Sequence, residues 1–105
     1  MDKEYLKFKE FGKFLGSRPF GKKVRLDIIN KFNNNKFVVF DFEGVASVTN
    51  SFADEVIAKL LDIYSIDELK KISTFHNMND FVQRVILNAI NERLKMNQNK
   101  KLKLA

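Results

Sequence analysis

Apolar and polar positions along the chain predict three strands that alternate with three helices. Residues 4–11 carry aromatic and alternating apolar side chains, a pattern typical of a strand. Residues 37–42 are almost continuously apolar, as expected for a strand covered on both faces of a parallel sheet. A third, weaker strand is predicted over residues 70–75.

The first two helices are predicted from apolar residues that recur at four-residue spacing. Residues 17–19, Ser-Arg-Pro, are typical of a helix start, and this helix is expected to run to about Phe32, before an asparagine run. The second helix is expected to begin with Ser51 as its N-cap, in a capping box that includes Asp54. Its apolar stripe is expected to reach Ile63.

The last helix is predicted to follow a capping pattern at residues 77–80 and to end near Leu94. Its apolar residues define one face, and Arg93 is assigned to the opposite, polar face. The chain then becomes polar and rich in lysine. We therefore predict a single domain over residues 1–94, followed by a basic, flexible tail over residues 95–105.

The order strand-helix-strand-helix-strand-helix favours an α/β fold. We expect a small, mainly parallel or mixed sheet with helices packed on it. Because each helix start follows a strand, the starts should gather at the carboxyl edge of the sheet, where open α/β sheets bind ligands. Arg18, Asn77 and residues 49–51 lie at these starts, so the working surface is expected there.

Composition argues against several classes of function. The 105 residues suffice for one domain, and 11 phenylalanines supply a core. The sequence has no cysteine and one histidine, His76, so no disulfide, metal site or cofactor is expected. It also contains no phosphate-binding glycine loop and no nucleophile elbow, so we do not expect an enzyme. A cytoplasmic location without membrane insertion is expected, since the sequence has no spanning apolar run and no signal peptide.

A net charge of +6 is typical of a protein that binds nucleic acid. The positions of the charged residues along the chain argue against that interpretation. Four lysines lie within residues 95–105, which contain no acid, and the remaining residues 1–94 have a net charge of only +2. The folded part is therefore nearly balanced, and nucleic acid is not the expected partner.

Residues 38–61, VVFDFEGVASVTNSFADEVIAKLL, carry a family resemblance. A buried strand ends in Asp41, a glycine turn follows, and the run Ser-Phe-Ala-Asp-Glu at residues 51–55 opens a helix. This pattern resembles the STAS family, the domain of anti-sigma factor antagonists and sulfate transporters. More specifically, it resembles the bacterial STAS-like family of unknown function, over roughly residues 11–94.

In anti-sigma factor antagonists, an Asp-Ser-Ser-Gly turn follows the strand, and a partner kinase phosphorylates the second serine. Matched along the strand, Thr49 falls at the aspartate, Asn50 at the first serine, Ser51 at the phosphorylated serine and Phe52 at the glycine. Ser51 alone is retained. The resemblance therefore implies regulation by partner switching, with Ser51 as the candidate phosphorylation site.

Two interpretations of Ser51 stay open from the sequence, and they are compatible. As an N-cap its loss would cost about 1 kcal/mol. As a phosphorylated residue it would present new charge to a partner surface. Asp54 and Glu55 are adjacent, and neighbouring helical residues point about 100° apart, so they are not expected to act as a catalytic acid/base pair. The resemblance instead favours contact between Glu55 and a partner.

Three further polar residues have structural interpretations. Asp41 is interpreted as a hydrogen-bonded residue at the end of its strand, because the acidic pair and later lysine of a response regulator are missing. Arg18 fits either an anchor for the loop edge or an anion ligand. His76 is interpreted as a hydrogen-bonded residue at a strand end.

The sequence thus predicts a non-enzymatic regulatory module that binds a protein partner. By resemblance, that partner is an ATPase of the histidine-kinase-like fold or a domain that belongs to the same chain in relatives. Its predicted contact surface comprises Arg18, Thr49, Asn50, Ser51, Asp54, Glu55 and Asn77. The alternative is a nucleic-acid-binding module that uses the basic tail and the first helix.

Overall fold

A computed structural model describes residues 1–104, with side chains through residue 100. Within residues 1–104 there are five strands: β1 Asp2–Lys7, β2 Phe14–Leu15, β3 Lys36–Asp41, β4 Ser47–Val48 and β5 Ser73–His76. The same residues form four α-helices: α1 Arg18–Asn33, α2 Asn50–Val56, α3 Ile66–Ile72 and α4 Asp80–Leu104. Two short 3₁₀ helices cover Phe8–Phe11 and Ala58–Asp62. The predicted α/β class is confirmed.

The strands form two parallel sheets. The larger has the order β1-β3-β5, and its register places Leu6, Phe40 and Phe75 beside one another. The chain crosses from β1 to β3 through α1, and from β3 to β5 through α2 and α3. The smaller sheet pairs β2 with β4, and its two-residue strands lie directly before α1 and α2.

Phenylalanine dominates the core between the larger sheet and the helices. Phe8, Phe40, Phe42 and Phe52 are fully buried, and the rings of Phe8 and Phe42 stack with centroids 4.2 Å apart. Burying one such ring stabilises the fold by about 1.5–3 kcal/mol. Val24 and Ile28 of α1, together with Val82 and Ile86 of α4, join the same cluster, so both long helices pack on this core.

The first predicted strand is shorter than expected. β1 ends at Lys7, and the chain turns into the 3₁₀ helix Phe8–Phe11, which directs Phe8 into the core. The second predicted helix is also shorter: α2 ends at Val56, and the following 3₁₀ helix ends at Asp62, before Ile63. In both places the local backbone departs from a regular strand or helix, and the buried stripe does not reach Ile63, which is 58% exposed.

The third predicted strand, over residues 70–75, is present but begins later than predicted, at Ser73. Residues Ile66–Ile72 form α3, and only Ser73–His76 pair as β5. A complete capping box starts α3: the Ser65 hydroxyl accepts from the Glu68 N–H, and the Glu68 carboxylate accepts from the Ser65 N–H. This Ser-x-x-Glu box determines a helix where the apolar pattern alone suggested a strand.

The last helix does not end at Leu94 as predicted. Asn79 caps its start, since its side-chain oxygen accepts from the Val82 N–H at 2.7 Å, and α4 continues to Leu104. The predicted tail at residues 95–105 is therefore helical through Leu104, while Ala105 lies outside the described residues. Flexibility of this segment stays a prediction.

Candidate functional site

The small sheet holds two helix starts together at one end of the molecule. β2 and β4 pair, and the Thr49 N–H donates to the Leu15 carbonyl at 2.9 Å. Gly16 lies against Thr49, where an added Cβ would be 3.3 Å from its methyl group. We call residues 13–18 and 46–51 the lip. It places the starts of α1 and α2 side by side, although they are distant in sequence.

Thr49, not Ser51, is the N-cap of α2. The Thr49 hydroxyl accepts from the Phe52 N–H at 3.0 Å. Asn50 is the first helical residue and Ser51 the second, so the predicted capping box at residues 51–54 is wrong. The Ser51 hydroxyl is therefore not used as the cap of α2, and the residue is partly exposed.

Ser51 lines an open polar cleft of about 620 Å³ beside the lip. Asn50 and Arg18 line it from the lip, and Asn88, Glu92 and Arg93 line it from α4. Asp54, one turn along α2 from Asn50, forms part of the same wall. The cleft thus brings together a hydroxyl, two guanidinium groups and two carboxylates.

Asp54 links α2 to both α4 and α1. Arg93 donates to both of its carboxylate oxygens at 2.8 Å, and Arg18 donates to one of them at 3.0 Å. Burial opposes ionisation of Asp54, but the hydrogen bonds from Arg93 and Arg18 outweigh it and hold its pKa below the ordinary value. Asp54 is therefore a charged connector between three helices, not a free residue in a first helical turn.

Glu55 is more deeply engaged. Its side chain accepts from Arg18 at 2.9 Å and from Arg25 and Lys59 at 3.0 Å, and the residue is only 4% exposed. Burial opposes its ionisation, yet hydrogen bonds from the three cations lower its pKa to about 2. The carboxylate predicted to contact a partner is instead used inside the domain.

Close helix packing makes the Glu55 site possible. Gly21 of α1 lies so near α2 that an added Cβ would be 2.8 Å from the Cβ of Glu55. A single atom, Nη1 of Arg18, contacts both Asp54 and Glu55. The two adjacent carboxylates therefore converge on one cation, and at neutral pH both are ionised and paired.

Asp41 and Asn77 form a separate polar pair at the carboxyl end of the larger sheet. Asp41 accepts from the Asn77 side chain at 3.0 Å and from the Glu43 N–H at 3.0 Å, and these bonds lower its pKa. The structural interpretation of Asp41 is confirmed. Asn77 does not line the Ser51 cleft; it holds the end of β3, while exposed His76 contributes its backbone carbonyl to the Phe42 N–H.

Three residues of this region were not predicted from the sequence. Arg93 was assigned to a polar helix face, but it is buried against Asp54. Arg25 pairs with Glu55 across two helices. Phe14 is 75% exposed at the lip, paired with Ser47. Arg93 follows Val82, Ile86 and Ala89 at helical spacing, so the apolar stripe itself could have placed it inward.

The cleft is lined by charged and polar groups that can form hydrogen bonds with a ligand. Ionised, paired carboxylates neither take up nor release protons near neutral pH. Within residues 1–104, no cluster of three histidine, cysteine, aspartate or glutamate side chains is placed to hold a metal ion. The helices of these residues include none with the length and apolar character required to cross a bilayer. The expected cytoplasmic location stays a prediction.

Comparison with known proteins identifies a family for this chain. A family model described as a STAS-like domain of unknown function (DUF4325) matches residues 21–83, which include most of α1 and all of β3, α2 and β5. Neither the curated proteins nor the solved structures contain a significant match.

Proposed function

Because the chain belongs to this family of STAS-like domains, we propose that it is a non-enzymatic regulatory module that binds another protein by partner switching. The contact surface comprises the lip and the cleft beside it. Affinity is set by charge at Ser51 and by the position of Arg18.

The accessibility of Ser51 carries this proposal. Thr49 supplies the cap of α2, so the Ser51 hydroxyl is available for modification without loss of that bond. The residue faces a cleft wide enough, at about 620 Å³, for solvent and a visiting segment. A serine sealed in the core would not support this function.

Phosphorylation at Ser51 would change the cleft through electrostatics. A phosphoserine brings about two negative charges at neutral pH and pairs strongly with guanidinium groups. Arg18 and Arg93 line the same cleft, but both are already bonded to Asp54. The phosphate would compete with Asp54 for Arg18, the more exposed of the two, and so change both charge and shape where a partner docks.

Phe14 supplies an exposed aromatic side chain on the lip. Its side chain is 75% exposed on a strand that pairs with residues 47–48 of the lip. Large aromatic side chains at the centre of an interface often contribute most of its binding energy. A charge-regulated cleft, together with an exposed aromatic side chain on the lip, is suited to reversible protein binding.

The proposed partner is an ATPase of the histidine-kinase-like fold, or a domain that belongs to the same chain in relatives. Resemblance to anti-sigma factor antagonists supports the first, because their STAS domains bind such kinases. Tagged full-length chain, captured from its source cells, would identify the partner, and intact mass measurement of both proteins would report a phosphate.

Calorimetric titration with that partner tests the switch. We expect Ser51→Glu to weaken the complex by about tenfold, while Ser51→Ala binds like the unmodified chain and both variants keep their unfolding midpoint. Phe14→Ala should weaken binding similarly. Tyr5→Ala is the matched control, because Tyr5 is an exposed aromatic on β1, outside the lip. Unchanged affinity for both Ser51→Glu and Phe14→Ala would contradict the proposal.

A further inference from the structure

A second cavity lies at β5, on a different part of the surface from the lip. Its volume is about 350 Å³, and it is bounded by β5, α3, α4 and the 3₁₀ helix Ala58–Asp62. Phe40, Leu60, Leu69, Phe75 and Ile90 give it apolar walls. It shares no lining residue with the Ser51 cleft, so the proposed partner-switching function does not account for it.

The backbone of β5 has one free edge beside this cavity. Among the described residues β5 pairs only with β3, as the last strand of the sheet. The Phe42 N–H donates to the His76 carbonyl at 2.9 Å, so the peptide groups of Thr74 and His76 point toward β3. Strand alternation then directs those of Phe75 to the opposite edge. Three consecutive residues, 73–75, line the cavity. Because successive side chains of a strand point to opposite faces, this is expected where the edge of the strand, not one face, borders the cavity.

The two edges of the sheet are protected differently. β1, the other edge strand, has the sequence DKEYLK, in which four of six side chains are charged. Charged side chains on an edge strand discourage pairing with another chain. β5 has the sequence STFH, without lysine, arginine, aspartate or glutamate. The charged side chains of β1 therefore discourage strand addition at that edge of the sheet, whereas β5, beside the apolar cavity, lacks such side chains.

The rim of the cavity indicates the chemistry of its occupant. Leu87 of α4 is 48% exposed at the rim and adds apolar surface. Lys70 is the one charged residue in the lining, and within residues 1–100 its ammonium forms no ion pair. An occupant that complements this rim has apolar side chains and a carboxylate.

We infer that this groove binds an extended peptide segment of a partner protein as an added strand beside β5. Its backbone bonds to the free edge at Phe75, alternate apolar side chains enter the cavity, and an acidic side chain pairs with Lys70. Main-chain hydrogen bonds supply affinity in this mode of recognition, and pockets for alternate side chains supply specificity.

A displayed library of random peptides, selected on the full-length chain, provides the probe. We expect selected peptides to share alternating apolar residues and an acidic residue. Each selected peptide, synthesised and titrated by NMR, should slow hydrogen exchange of the Phe75 amide and shift signals of residues 69–75. Signals of the lip should stay unchanged.

Matched variants test the site. Leu87→Glu should weaken the selected peptides about tenfold or more, because it places a carboxylate at the apolar rim. Leu26→Glu is the control, since Leu26 is 54% exposed on α1 and does not line the cavity. Lys70→Glu should reverse the preference for an acidic residue. Thermal unfolding checks that the three variants stay folded.

Three outcomes would overturn the inference. The first is a selection whose peptides perturb a different surface, or that yields no peptide at all. The second is equal weakening by Leu87→Glu and Leu26→Glu. The third is an occupant of another kind. Saturable binding of decanoate in the cavity without peptide binding would assign the groove to a small apolar ligand, and self-association of the chain through β5 in sedimentation would assign it to a second copy of the chain.

Discussion

At the scale of single residues, Glu55 is the centre of charge in the domain. It is almost fully buried and accepts hydrogen bonds from Arg18 and Arg25 of α1 and from Lys59 of the 3₁₀ helix that follows α2. Removing one partner of a buried ion pair is costly, because the remaining charges stay desolvated without compensation. Glu55 therefore contributes to stability through its ionised form.

The pH dependence of stability should show this contribution directly. The pKa of Glu55 is about 2 in the folded protein, against an ordinary value of 4.5. A folded pKa below the unfolded one stabilises the protein above pH 4.5, and this stabilisation is lost as pH falls toward 2. A shift of that size corresponds to about 3 kcal/mol of unfolding free energy at neutral pH.

We expect Glu55→Gln to lower the unfolding free energy by about 3 kcal/mol at pH 7, and the difference from the unmodified chain to shrink as pH falls below about 4.5. Urea denaturation at several pH values measures both effects. Glu92→Gln, an exposed carboxylate of α4, is the control and should change little. A difference for Glu55→Gln that is constant with pH would mean that packing, not charge, is responsible.

At the scale of elements, the starts of helices decide how this chain folds locally. Each of the four α-helices is preceded by an N-cap residue whose side-chain oxygen accepts a backbone N–H: Ser17 for α1, Thr49 for α2, Ser65 for α3 and Asn79 for α4. Asn79 also donates to the Val45 and Ala46 carbonyls. One side chain thus caps α4 and fixes the loop that leads to the lip.

The choice of cap at α2 can be tested by a matched pair of variants. Thr49→Ala removes the hydroxyl that accepts from the Phe52 N–H and should cost about 1 kcal/mol of unfolding free energy. Ser51→Ala, two residues later, removes a hydroxyl that does not cap the helix and should change stability by less than about 0.5 kcal/mol. If denaturant unfolding shows equal losses of unfolding free energy for the two variants, Ser51 must stabilise the helix start as much as Thr49 does.

The sequence predicted those elements whose signal is local. The apolar run of β3 was sufficient to predict that strand, and the four-residue spacing of apolar side chains was sufficient to predict α1. The capping box of Ser65 and Glu68 is equally local and specifies α3, whereas the apolar pattern of the residues that follow it favours a strand. The end of α4 was misplaced, because a polar segment of lysine and asparagine lacks an apolar stripe but contains no residue that stops a helix.

At the scale of the whole molecule, the candidate site depends on contacts that local patterns do not contain. β2 and β4 are only two residues long, too short for a recognisable strand pattern, yet their pairing builds the lip. Arg18 and Arg25 meet Glu55 from 37 and 30 residues away. The sequence identified Ser51, Asp54 and Arg18 as neighbours in function, but the partners of each carboxylate followed only from the packing of three helices.

The packing of the helices also pairs some of the basic residues of the chain with carboxylates. Arg18, Arg25, Lys31, Lys59 and Arg93 form ion pairs, whereas Lys22 and Lys23 of α1 are exposed and form none within residues 1–100. Lysines 95, 100, 101 and 103 are concentrated at the end of the chain. Because residues 95–105 contain no acid and residues 1–94 have a net charge of only +2, any attraction for nucleic acid should come mainly from this segment.

We expect the full chain to bind a labelled DNA duplex no more tightly than a synthetic peptide of residues 95–105. Deletion of that segment should abolish the binding, because released counterions from its lysines supply the driving force. Fluorescence anisotropy from about 50 to 200 mM salt measures the affinity and its salt dependence. If the full chain binds far more tightly than the peptide, with a steeper salt dependence, the cations of α1 must contact phosphates as well. That result would favour a nucleic-acid-binding module over protein-partner switching, because exposed cations of α1 such as Lys22 and Lys23 would then contribute to binding.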